Sequence, residues 1–157
     1  MKKKDKIIGL SIVLVILIIL LIIESVPSKK MEEENNNRYT CTSVQDVADV
    51  KIGTTYYVYF NDDNIEKIDI NKYYKGNSEK AKSNIFNYRY IIGVETKQNE
   101  EKKGFSAKVN KDSKIEYNFT YTFDVLKVDD ELASMYGIYK TVLEQNKYLE
   151  ENGYVCE

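Results

Sequence analysis

From Ile115 to Val125 the chain alternates without a slip. Ile115, Tyr117, Phe119, Tyr121, Phe123 and Val125 take one parity; Lys114, Glu116, Asn118, Thr120, Thr122 and Asp124 take the other. Successive side chains of a strand point to opposite faces, so this run is a strand with one buried and one wet face. A sheet wet on one side is antiparallel, because parallel crossovers would cover both faces. The apolar side must then be covered by a second layer.

The neighbouring segments supply partners. Tyr39–Val44 reads as a first strand followed by a loop at Asp46–Gly53. Thr54–Phe60 alternates again, Tyr56, Val58 and Phe60 against Thr55, Tyr57 and Tyr59. Asn61-Asp62-Asp63-Asn64 is a turn signal, and Ile65–Tyr73 resumes as the second arm of a hairpin. Phe105, Ala107 and Val109 alternate ahead of a turn at Asn110-Lys111-Asp112-Ser113.

Two stretches have helical spacing. Asn77-Ser78 offers an N-cap to Ala81, Ile85, Tyr88 and Ile92, with Gly93 as a C-terminal stop and Thr96–Lys103 as an exposed loop. Asp129 or Asp130 caps a second stripe of Leu132, Met135, Tyr136, Tyr139, Val142, Leu143 and Leu149, which Gly137 is placed to break. Gly153 ends it, and Tyr154-Val155-Cys156 returns to the body. The expected fold class is α+β: about five antiparallel strands with two amphipathic helices packed on one face.

Ile7–Ile23 is of another kind, an uncharged run with no polar stripe. About 17 to 25 apolar residues in a helix cross a bilayer core, so this segment predicts a transmembrane anchor. Lys2, Lys3, Lys4 and Lys6 precede it and Glu24 and Glu32-Glu33-Glu34 follow, an asymmetry that holds the N-terminus in the cytoplasm. A cleaved signal peptide would need a shorter run and small residues at its end, and the best site here is a poor Val26-Pro27-Ser28. The domain plan is a basic tag at residues 1–6, the anchor at 7–23, a linker at 24–38 and an extracytoplasmic domain at 39–157. The linker holds the only proline, Pro27, and as a flexible coil would span on the order of 20 Å. The expected location is the cell membrane, single-pass, with the C-terminal domain outside.

Cys41 and Cys156 are the two cysteines, one near each limit of that domain. In an oxidising compartment they suggest a disulfide. Its loop, on the order of 100 residues, would be worth about 4 to 5 kcal/mol in the chain-entropy model. Two free thiols or an intermolecular bridge are the alternatives.

Chemistry is harder to assemble. With no histidine the commonest general base and zinc ligand are missing. No glycine-rich phosphate loop occurs, and pairing would consume both thiols. Asp62-Asp63-Asn64-Ile65-Glu66 has oxygen ligands for calcium but lacks the glycine and distal glutamate of the EF-hand, so it reads as a turn. Glu100-Glu101 and Asp129-Asp130 fit a loop and a helix start. Asn118-Phe119-Thr120 matches a glycosylation sequon but lies mid-strand. Net charge is −2, and because the N-terminal tag is basic the rest is more acidic still, which argues against nucleic acid as partner. The 14 tyrosines, beside many Lys, Asn and Ile, read as strand-filling residues of an AT-rich genome. No catalytic, cofactor or metal residues are expected.

Tyr39-Thr40-Cys41-Thr42, the tyrosine-rich hairpin through Asn61-Asp62-Asp63, a helix ending at Gly93-Val94, a hairpin across Lys111-Asp112-Ser113-Lys114 and the close Leu149-Glu150-Glu151-Asn152-Gly153-Tyr154-Val155-Cys156 together carry a resemblance. From Tyr39 onward the chain resembles small exported lipoproteins and lipoprotein-like proteins of low-GC Gram-positive bacteria, grouped as a domain of unknown function. It departs from the lipoprotein members in its longer apolar anchor and in lacking a lipid-attachment cysteine. The resemblance implies no catalytic residues. The expected role is a non-enzymatic module binding a protein, peptide or other envelope component. An envelope enzyme using carboxylates and an accessory subunit of a membrane complex are the alternatives.

Overall fold

The structure, a computed structural model, describes residues 37–157. The expected tag and anchor, and the linker up to residue 36, lie outside the described residues. Among the described residues no helix is long and apolar enough to cross a membrane.

Strands β1 (Asn37–Val47), β2 (Val50–Asn61) and β3 (Asn64–Lys75) form a meander. Helix α1 (Glu79–Asn99), strands β4 (Phe105–Ser113) and β5 (Glu116–Asp124), helices α2 (Asp130–Tyr136) and α3 (Val142–Glu151), and the short β6 (Val155–Cys156) complete the order. The sheet is antiparallel throughout, with strand order β4-β5-β3-β2-β1-β6. Among the described residues the class is α+β, with six strands and three helices where about five and two are expected.

The alternation in β5 holds. Tyr117, Phe119, Tyr121 and Phe123 are buried, while Asn118, Thr120 and Thr122 are half-buried on the other face. Register carries that parity across the sheet: Tyr56, Ile70 and Tyr121 form one row, and Val58, Ile68 and Phe123 the next. All three helices meet this face. Tyr88 of α1 stacks on Tyr74 with centroids 4.5 Å apart, Tyr136 of α2 lies 5.0 Å from Phe123, and Leu149 of α3 is fully buried. The opposite sheet face has no helix over it among the described residues.

Several expected boundaries are corrected. Asn37 and Arg38, expected in the linker, pair with Phe60 and Tyr59 as the start of β1. The expected loop at Asp46–Gly53 is a tight turn at Ala48-Asp49, with φ of 50° and 69°. Left-handed backbone is costly for alanine, and the turn is held from outside. Asn84 of α1 donates to the Ala48 carbonyl at 3.1 Å, and Ser78 to the Asp49 carboxylate at 3.4 Å. Ser78 also caps α1, accepting from Ala81 N at 3.0 Å, as expected.

Gly93 does not stop α1, which continues to Asn99 through the first part of the expected loop. A Cβ there would meet nothing within 4 Å, so this glycine is a solvent-side interior position that weakens the helix by about 1 kcal/mol without breaking it. The second β-hairpin turns at Lys114-Ile115, so Ile115 is exposed rather than inward-facing, and Asn110–Ser113 belongs to β4. Ala107 and Val109 are exposed because β4 is an edge strand, bulged between Val109 and Lys111.

Gly137 does break the C-terminal helix, at φ 64°. A Cβ on it would fall 2.1 Å from the Tyr148 ring, which closes over the break. Gln145 spans the gap, fully buried, donating to the Gly137 carbonyl at 3.1 Å and accepting from Tyr139 N at 2.9 Å. The break turns Met135 and Leu143 out of the expected stripe; they are exposed, while Leu132, Tyr136 and Leu149 are buried.

Candidate functional site

The two cysteines meet where β6 joins the sheet. Thr40 and Glu157 exchange backbone hydrogen bonds of 2.9 and 2.8 Å. Cys41 and Cys156, next along, therefore occupy a non-hydrogen-bonded pair, the position where facing side chains come closest. Their Cα atoms are 4.0 Å apart and their sulfurs at bonding distance, 1.98 Å. The two residues selected from sequence are brought together.

Under the helices lies a polar group the sequence does not announce. Glu95, on the inner side of α1, accepts from the Tyr121 hydroxyl at 3.1 Å and from the Tyr136 hydroxyl. Tyr56 donates to the Tyr136 carbonyl at 3.3 Å. Lys72 shares this face, between Thr54 and Phe119 in register; burial lowers its pKa, and the Glu95 charge opposes that shift. One carboxylate held by two phenols ties α1, α2 and β5 together. It is a packing device, since its acceptor atoms are already engaged by protein donors.

Burial raises the pKa of seven tyrosines here, Tyr39 and Tyr74 to about 12, with the Glu95 charge and hydrogen bonds adding to the shift at Tyr121 and Tyr136. A phenol whose folded pKa lies above its unfolded value of about 10 adds stability that is complete below pH 10 and lost as pH climbs towards the folded pKa. Lys72 works the other way but is one group against seven. Urea midpoints should hold up to about pH 10 and fall steeply between about 10 and 12, with the tyrosinate absorbance of these seven residues appearing in step with unfolding. Free titration of all tyrosines near pH 10 in the folded protein would contradict this burial.

The open sheet face is different in kind. Tyr57, Tyr59 and Tyr73 stand on it, half-buried among hydroxyl and amide groups. Arg38 lies 5.5 Å from the Tyr57 ring centroid and Lys67 Nζ 3.9 Å from that of Tyr59. Asn71, Asn118, Asn110 and Thr120 form a ladder of side-chain hydrogen bonds between 2.7 and 3.2 Å, and Thr122 donates to Asp69 at 2.7 Å. Tyr73 lies across β2 because Gly53 leaves room: a Cβ there would be 2.1 Å from the ring. Beside Tyr73 is a hollow of about 390 Å³ lined by Lys51, Tyr73, Lys75, Glu116 and Asn118.

The opposition of Lys51 to Lys75 across that hollow escapes a sequence reading. Counting back from the Asn61–Asn64 turn, Lys51 would face Tyr74. A bulge at Glu66 adds one residue to β3 and brings the two lysines opposite. An isoleucine-to-isoleucine interval of three, Ile65 to Ile68 before Ile70, is the signal of that bulge in the sequence. The expected turn at Asp62-Asp63 is in place and docks on α3, Val142 N donating to the Asp63 carbonyl at 3.0 Å. Among the described residues no three metal-ligating side chains gather.

No family model and no curated protein matches the sequence. Two solved structures are similar to the domain. The NMR structure of the Escherichia coli YehR protein aligns over 78% of this chain and 92% of its own, with 13% identity and a TM-score of 0.53. The NMR structure of a protein from Streptococcus pneumoniae TIGR4 aligns over 79% and 87%, with 19% identity and a TM-score of 0.49. The likeness to YehR is one of fold alone.

Proposed function

We propose that the chain is a membrane-anchored extracytoplasmic binding module, non-enzymatic, held by residues 7–23 with its N-terminus in the cytoplasm, and that it engages an envelope component through the open sheet face. The observation that carries the reading is that face: three tyrosines beside a ladder of hydrogen-bonded amides and hydroxyls, on an antiparallel platform whose other side holds the core. Rigid elements present a binding surface at little ordering cost. The Cys41–Cys156 contact fits an oxidising location, and Glu95, the acid of the buried tyrosine network, is already held by two phenols.

Full-length protein in mild detergent should co-sediment with envelope fragments. A Tyr57→Ala, Tyr59→Ala variant should lose most of that binding, roughly tenfold, while keeping its melting temperature within a few degrees, because both side chains lie outside the core. Undiminished sedimentation of the variant would remove the open face from the reading. Protease added to wall-less cells should digest residues 37–157; survival of the domain would reverse the orientation.

An accessory-subunit role draws on a separate observation. Phe86, Tyr90 and Val94 form an exposed stripe on the outer side of α1, opposite Ile85 and Ile92. Retention of partners by full-length protein after Phe86→Ser and Tyr90→Ser changes would remove that support.

A further inference from the structure

Two lysines directly opposite on one face of an antiparallel pair repel each other, and sheets ordinarily avoid the arrangement. Here Lys51 of β2 faces Lys75 of β3. Neither closes an ion pair among the described residues. The acid that shares their hollow, Glu116, is taken by Lys111 at 2.7 Å. Lys108, further along the same face opposite Thr120, also closes no ion pair among the described residues. Acids outnumber bases over residues 37–157, so cations left free and opposed on one face stand against the domain's own charge balance.

The hollow between them has more than charge. Its lining includes the Tyr73 ring, which lies over Gly53, and the Asn118 side chain. A pyranose ring has a face of C–H groups that packs on an aromatic π surface and a rim of hydroxyls that suits amides. The hollow, about 390 Å³, is open to solvent, so it can seat one ring of a longer chain without enclosing it. Tyr57 and Tyr59 continue the ring-bearing surface along β2, the direction a chain of such units would take.

We propose that this hollow is the seat of one acidic sugar unit of an anionic glycan, its anionic group between Lys51 and Lys75 and its ring on Tyr73. Asn118, whose oxygen already accepts from Asn71 and Asn110, gives its remaining N–H to a ring hydroxyl, and Lys108 meets the next charge along the chain. The proposal rests on the reading of the open face as the binding surface and names what that surface takes.

The test is calorimetric titration of the full-length protein in mild detergent with trigalacturonate, which has acidic rings. The methyl-esterified trimer keeps the rings without the charge, and polyglutamate keeps the charge without the rings. Trigalacturonate should bind and weaken with added salt, while the ester and polyglutamate should bind at least tenfold less. Lys75→Gln and Tyr73→Ala should each reduce affinity tenfold or more. Lys75→Gln should also leave the free protein as stable as before or raise its melting temperature, since it relieves the opposed charges. That gain separates loss of a site from loss of the fold. No binding of trigalacturonate, equal binding of polyglutamate, or full binding by Lys75→Gln would each overturn the proposal. Envelope sedimentation that persists alongside any of these results leaves the open-face reading standing and removes the acidic sugar alone.

Discussion

Alanine at Gly104 should cost the domain roughly 3 to 5 kcal/mol, a large part of the stability of an ordinary small domain. Gly104 joins α1 to β4 at φ 71°, and its carbonyl accepts from Asp124 N at 2.8 Å. A Cβ on it would stand 2.6 Å from Val128 N, 2.8 Å from the Asp124 carbonyl oxygen and 2.9 Å from the Lys127 carbonyl carbon. All three are backbone atoms of the turn after β5, where Lys127 N and Val128 N both donate to the Asp124 carbonyl at 3.0 Å. No side-chain rotation relieves the contact, so either the turn opens or Phe105 leaves its place against Tyr121 and Phe123. Gly93→Ala is the internal control. It adds a methyl group in open space within a helix and should stabilise by about 0.5 to 1 kcal/mol. Urea denaturation of the two variants side by side gives the comparison. A Gly104→Ala midpoint within about 1 kcal/mol of the parent would mean that the turn is soft and the argument from backbone contact is wrong.

That pair also marks where sequence reasoning succeeds and where it stops. The wet and dry faces of β5 were legible because burial acts on every second residue over a long run, and no neighbour can alter the parity. The Gly137 break was legible because a glycine interrupts the spacing between Leu132 and Leu149. Gly93 looked like the same signal and is not, because a glycine stops a helix where the chain leaves it, and α1 stays on the sheet through Ile92 to Asn99. The Ala48-Asp49 turn had no signal of its own; its donors, Asn84 and Ser78, come from a helix many residues later. The same holds at the sites. Counting cysteines picks out Cys41 and Cys156. The Glu95 cluster needs α1 and α2 laid over β5, and the Lys51–Lys75 opposition needs one bulge, so neither could be read until register was known.

Reduction of the Cys41–Cys156 pair should lower stability by about 4 kcal/mol, the chain-entropy worth of so long a loop. The two residues are 115 apart in sequence. Almost the whole described domain is therefore confined in the unfolded state by one link, and cutting it returns that freedom. On the folded side the loss falls at β6, which pairs with β1 through Cys41–Cys156 and Thr42–Val155 and through the Thr40–Glu157 hydrogen bonds. Tyr154 would keep its edge contact with Tyr56, centroids 5.1 Å apart, so the tail should fray from Val155 onward rather than leave the body. Cys156→Ser should reproduce the loss without reductant. A further Cys41→Ser change should add only the smaller cost of a hydroxyl at a fully buried position, about 1 to 3 kcal/mol, since the link is already gone. Urea midpoints with and without dithiothreitol measure the first effect, and an unchanged midpoint would deny the link any part in stability. Location is tested by the same atoms. Thiols persist in a reducing cytoplasm and pair outside it. Maleimide added to cells during lysis should leave both cysteines of the extracted chain unlabelled; quantitative labelling would sink the extracytoplasmic placement while leaving the fold intact.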